Sequence, residues 1–85
     1  MKDMKWSLVK SRRLKKVRGV SFEEIIASEV VDIVRHPNRE HQRIILFSYK
    51  RYIWVVPFVE TENEIFLKTI YPCRKYTKLY FKKRA

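Results

Sequence analysis

The chain has 85 residues, enough for one small domain with a single core and too few for a separate substrate domain. Lys and Arg number 20 against 9 Asp and Glu, a net charge of +11 that favours an anionic partner, while 46% hydrophobic residues and a single glycine exclude a disordered basic tail. Cys73 stands alone, so no internal disulfide forms, and the longest apolar run, Ile53 to Val59, is far shorter than a membrane-spanning helix. With no export signal at its start, the sequence is expected to be one domain over 1–85, cytoplasmic, with no membrane partner.

Charge is blocked along the chain. Residues 1–21 carry eight bases and one acid, and residues 68–85 carry seven bases and no acid, so each end amounts to +7. The two blocks form one basic surface if the ends lie together, as they often do in small domains.

Ser7 is placed to cap a helix from Leu8 to Arg18, stopped by Gly19. Its apolar side is narrow, with Leu14 and Val17 as the inward candidates and bases over most of the rest. Ser21-Phe22-Glu23-Glu24 is a capping box and starts a short second helix at Phe22. Val30 to Val34 reads as a strand, ended by the polar segment 35–42. Arg43–Tyr49 and Tyr52–Val59 are dense β-formers separated only by Lys50-Arg51, which predicts a hairpin. Pro57 within the second run implies an outward-facing amide or a bulge. Thr61 to Glu64 makes a further turn, and Ile65 to Ile70 a further strand.

After Pro72, residues Arg74 to Lys83 fit a helix. Angular spacing puts Tyr76, Leu79 and Tyr80 on a packing arc and Lys75, Lys78 and Lys82 on an outward ridge, with Phe81 outside the arc. The fold class is therefore α+β: a small antiparallel sheet of three or four strands, two N-terminal helices and one C-terminal helix.

Lys5-Trp6, Lys10, Arg18-Gly19-Val20-Ser21-Phe22-Glu23-Glu24, then Ile65-Phe66-Leu67-Lys68-Thr69-Ile70, Arg74-Lys75 and Thr77-Lys78 together resemble the BrnT family of bacterial toxins over nearly the whole length. The resemblance implies a RelE-like fold, with helices against a curved antiparallel sheet, and a ribonuclease that arrests translation. It also implies an antitoxin of ribbon-helix-helix type, whose complex with the toxin binds promoter DNA. Ser7, Leu14, Arg18 and Thr69 stand where the common form of the family has Asp, Asn, His and Arg, whereas Arg74 matches its closing arginine.

Cleaving RNA without a metal needs a base for the 2′-hydroxyl, cations for the charge growing on phosphorus, and an acid for the leaving 5′-oxygen. The catalytic candidates are Arg74, Lys68 and Arg43 as cations, with His36, His41 and Tyr80 as proton-transfer groups. Lys75, Lys78, Lys82, Lys10 and Arg13 are candidates for holding RNA, and Tyr76 or Trp54 for stacking on a base. Each has a plainer reading: a solvated basic helix, surface histidines in a polar loop, aromatics in the core. His36 and His41 are five apart, Cys73 is alone and aspartates are two, so no metal site and no cofactor is expected. A single glycine excludes a phosphate-cradling glycine-rich loop. Metal-independent endoribonuclease action on RNA, on or off the ribosome, stands first. A non-catalytic RNA- or DNA-binding module and a domain docking an acidic partner stand as alternatives.

Overall fold

The computed structural model describes residues 2–40 and 42–82, with Lys82 described by its backbone alone. Elements follow in the order β1 (Asp3–Lys5), α1 (Leu8–Arg18), α2 (Phe22–Ile26), β2 (Glu29–Arg35), β3 (Arg43–Tyr49), β4 (Tyr52–Glu60), β5 (Glu64–Leu67), β6 (Tyr71–Pro72) and α3 (Arg74–Lys82).

Local chemistry sets the helix ends. The Ser7 side chain accepts from the Lys10 amide at 3.1 Å, and Gly19 closes α1 in the left-handed region at φ 79°, where a residue without Cβ is least strained. In α2 the Glu24 amide donates to Ser21 Oγ at 3.2 Å and the Ser21 amide to Glu24 Oε1 at 3.0 Å, completing the capping box. Lys15 Nζ joins Glu24 Oε2 at 2.8 Å, and this ammonium, ahead of the Ser21 amide, brings the Glu24 carboxyl down to about 2. The unfolded chain titrates that carboxyl near 4.5, so its contribution to stability is whole above that pH and is lost as pH falls toward 2. Urea midpoints measured across this window are expected to fall for the wild type and to fall less steeply for Lys15→Ala; equal slopes would remove Lys15 as the cause.

The sheet runs β1-β5-β4-β3-β2, with β6 also paired to β4. Strands β2 to β5 form the expected antiparallel meander. The Lys50-Arg51 turn has φ of 50° and 62°, the doubly left-handed geometry that suits two-residue hairpins. The strand count is a correction, because the sheet has six strands rather than three or four. The two added strands are two and three residues long, β1 is exposed throughout and pairs in parallel with β5, and so neither leaves a burial pattern in the sequence. Strand β5 also stops at Leu67 instead of Ile70, although the Lys68 amide still donates to the Pro57 carbonyl at 2.8 Å. The N–H and C=O of one strand residue point the same way, so the donor that Pro57 lacks falls at the jog between β5 and β6, and no bulge is needed there.

Helices cover both faces. On one, α1 and α2 bury Leu14, Phe22 and Ile25 against Ile45, Phe47, Val56, Phe58 and Leu67. On the other, Tyr76, Tyr80 and Phe81 of α3 pack on Ile44, Leu46, Ile53 and Val55. The bases of α1 and those of α3 therefore lie on opposite faces of the sheet. Two packing assignments also change. Val17 is 72% exposed, and the inward strip of α1 is Ser11 with Leu14, because Ser11 has both its polar functions satisfied inside the fold. In α3 the inward strip is Tyr76, Thr77, Tyr80 and Phe81, while Leu79 is 48% exposed. Thr77 turns inward because its hydroxyl accepts from the Ile53 amide at 2.9 Å and donates to the Cys73 carbonyl at 2.7 Å, and that rotation brings Phe81 in.

Candidate active site

Side chains paired across β3 and β4 share a face, so Ile44 and Pro57, Leu46 and Val55, and Ser48 and Ile53 all point toward the α3 side. Helix α3 lies on this surface, where Thr77 meets Ile53 and Tyr80 reaches Asp32 of β2. At the other end Pro57 is itself buried. There a cleft of about 240 Å³ is lined by His36, Arg39, Gln42, Pro57, Lys68, Thr69 and Tyr71.

Three separate stretches converge on it. The β2–β3 connection brings His36, Arg39 and Gln42, held by backbone bonds from the His36 amide to the Gln42 carbonyl at 3.0 Å and from the Gln42 amide to the Arg39 carbonyl at 3.2 Å. The β5–β6 jog brings Lys68 and Thr69, and Tyr71 enters from β6 opposite Val55. The Asn38 amide donates to His36 Nδ1 at 3.1 Å, which puts the proton of the neutral ring on Nε2. His36 so held offers a hydrogen bond from Nε2 and has no lone pair free there to accept a proton. Burial, ahead of its neighbours Cys73 and Tyr76, pushes the Tyr71 phenol up, so it stays protonated and remains a donor. Among the described residues, no carboxylate lines the cleft. Its charged side chains, Arg39 and Lys68, are cations, joined by donors on His36 and Tyr71, an arrangement that receives an anion and stabilises charge developing on it.

The sequence candidates are distributed unevenly about this cleft. His36 and Lys68 line it together. Arg74, Lys75 and Lys78 are exposed on α3, on the same side of the sheet but outside the cleft lining. Tyr80 lies under α3, where its hydroxyl donates to Asp32 Oδ2 at 3.0 Å. Arg43 is on the opposite face, ion-paired with Glu60 and with its guanidinium 5.4 Å from the Phe58 ring centroid. Lys10 and Arg13 are on α1, also across the sheet. His41 and the Lys82 side chain lie outside the described residues. The stacking candidates Trp54 and Tyr76 both pack on the core, Trp54 donating from Nε1 to the Tyr49 carbonyl at 3.2 Å. Arg39, Gln42, Thr69 and Tyr71 were not legible as site residues. Arg39 could be found only as a third polar side chain in the His36 loop, and Tyr71 had no signal, because the strand that aims it is two residues long.

Among the described residues, no group of three or more His, Cys, Asp or Glu side chains is gathered as a metal site would require. No described helix is long and apolar enough to cross a membrane.

Neither a protein-family model nor a curated protein sequence matches the chain. Among solved structures, the crystal structure of the Brucella abortus ribonuclease toxin BrnT is similar to it, with a TM-score of 0.56 at 14% identity, over 86% of this chain and 97% of that one. The α+β architecture described above is thus the fold of that toxin, the architecture that the resemblance in the motifs implied.

Proposed function

We propose that the protein is the toxin of a bacterial toxin–antitoxin pair and cleaves RNA at the cleft between the β2–β3 connection and the β5–β6 jog. The observation that carries this reading is the meeting of His36, Arg39, Lys68 and Tyr71 around one cleft, in a fold shared with a ribonuclease toxin. In the proposed reaction the 2′-oxygen attacks the adjacent phosphorus, the bond from phosphorus to the 5′-oxygen breaks, and a 2′,3′-cyclic phosphate is left. Lys68 and Arg39 balance the charge on the phosphoryl oxygens, and the Nε2–H of His36 donates to one of them. The Tyr71 phenol supplies the proton for the leaving 5′-oxygen, and the proton released from the 2′-hydroxyl passes to solvent water, which reprotonates Tyr71. With no carboxylate in the lining among the described residues, the rate rests on charge stabilisation more than on a carboxylate base. Arg74, Lys75 and Lys78, on the same side of the sheet, hold the strand, so affinity falls steeply with added salt.

A protein partner has its own support on the other face. Leu8, Val9 and Val17 are 63%, 68% and 72% exposed on α1, set among Arg12, Arg13 and Lys16, which have no ion pair among the described residues. Aliphatic side chains between cations suit an acidic protein segment better than a nucleic acid. This is the place we assign to the antitoxin; its ribbon-helix-helix class and the promoter binding of the complex follow from the resemblance.

Inducible expression in a bacterial host, with growth and total RNA followed, tests the reading. Growth arrest with RNA loss, relieved by co-expression of an adjacently encoded acidic protein, is the expected result. Normal growth and intact RNA at abundant soluble expression would overturn the ribonuclease and leave the docking or binding module.

A further inference from the structure

Eight large apolar side chains are exposed among the described residues, and seven of them are aliphatic or Met; the eighth is Phe66, 40% exposed in the middle of β5. Its position is fixed on three sides. Leu67 beside it turns to the opposite face and is buried, Phe66 pairs with Val59 of β4, and it pairs with Lys5 of β1. Alternation along the strand puts Phe66 on the same face as Lys68, and the Lys68 Nζ is 5.8 Å from the centre of its ring. The ring thus lies on the α3 side of the sheet, two residues from a side chain that lines the cleft.

Charge gives this strip a direction. Asp3 and Glu64, paired in register, occupy the same face two residues before Lys5 and Phe66, away from the cleft, whereas Lys68 and Arg39 lie toward it. An anionic chain lying on the strip is drawn from Phe66 into the cleft and repelled from the other end. Leaving a large ring half in water forgoes part of the stabilisation that burying it would give. The Lys68 ammonium lies over the ring, and a nucleobase that takes its place on the aromatic face leaves the lysine beside the phosphate, one ligand chemistry that fits both groups.

We infer that Phe66 is a nucleobase-stacking subsite, which seats one base of a single-stranded RNA next to the cleft and so sets which phosphate enters it. This inference rests on the ribonuclease reading for its substrate but is read by binding alone. The probe is a short fluorescein-labelled single-stranded oligoribonucleotide with 2′-O-methyl riboses, which cannot be cleaved, followed by anisotropy against the full chain.

Phe66→Leu keeps the apolar bulk and removes the aromatic face, and it is expected to weaken binding by about 5- to 100-fold, with the slope against salt unchanged. Phe66→Trp is expected to bind at least as tightly as the wild type. An abasic strand of the same length should be bound equally weakly by the wild type and Phe66→Leu. Equal affinity of Phe66→Leu and wild type for the base-containing strand would overturn the subsite, as would a loss that persists on the abasic strand. Dependence on Phe66 in a protein that cleaves no RNA would leave the subsite standing and remove the ribonuclease. If the wild type binds no single-stranded RNA, both fall.

Discussion

Replacing Lys68 by alanine is expected to slow RNA cleavage by about 10²- to 10³-fold, the loss typical of removing one preorganised group that meets charge in a transition state. Lys68 is suited to that measurement because it is exposed and has no salt bridge among the described residues, so its removal leaves no buried partner behind. The unfolding midpoint should stay within the small range usual for surface substitutions. Lys75→Ala on α3 is the comparison: it removes an equal charge on the same side of the sheet but outside the cleft, and its effect should appear in affinity. Cleavage of a quenched fluorescent oligoribonucleotide at saturating protein separates the two. A Lys68→Ala variant with undiminished cleavage at saturation would move the chemistry out of the cleft and back toward Arg74.

Ser11→Ala is expected to cost about 1–3 kcal/mol of stability, the usual range for leaving a buried donor without a partner. Ser11 is 1% exposed and is the buried polar residue of the described chain. Its hydroxyl accepts from the Phe22 amide at 3.0 Å and donates to Glu23 Oε1 at 2.6 Å, while Trp6 Nε1 donates to Glu23 Oε2 at 2.7 Å. These bonds, Ser11 first, hold the Glu23 carboxyl below its ordinary value. Alanine leaves the Phe22 amide unpaired in the core, where the Phe22 ring is fully buried and Trp6 lies 6.3 Å from it between ring centres. Denaturant unfolding of the variant measures the loss. Ser11→Cys, which keeps a weak donor and a similar volume, should recover part of it. No change in the midpoint for Ser11→Ala would mean that water replaces the hydroxyl, and the strip would then be less tightly packed than described.

The contrast between these two residues bears on what a sequence shows. Elements whose signals are local were legible: Ser7 and Gly19 bound α1, Ser21 and Glu24 start α2, and Lys50-Arg51 turns the hairpin, each within four residues of what it controls. The motifs that carry the family resemblance are largely of this kind. Trp6 and Glu23 fasten the start of the chain to α2, Ser21 and Glu24 cap it, and Lys15 reaches that cap from α1. The cleft was only half legible, because His36 and Lys68 are 32 positions apart in the chain and meet through sheet register. Which face each strand residue takes depends on pairings that no local pattern states, and Arg43, which looked equally apt, falls on the far face through its pairing with Phe58. Thr77 escaped notice for a related reason. A hydroxyl counts as polar in a periodicity argument even when the strand beneath it supplies a donor.

That threonine ties two elements into one opening event. The Ile53 amide donates to Thr77 Oγ1 and its carbonyl accepts from the Cys73 amide at 3.0 Å, so beyond the end of β6 it is α3, together with the residue leading into it, that completes the edge of β4. Solvent exchange at the Ile53 amide is therefore governed by release of α3, and one strand proton reports how long the C-terminal helix stays down.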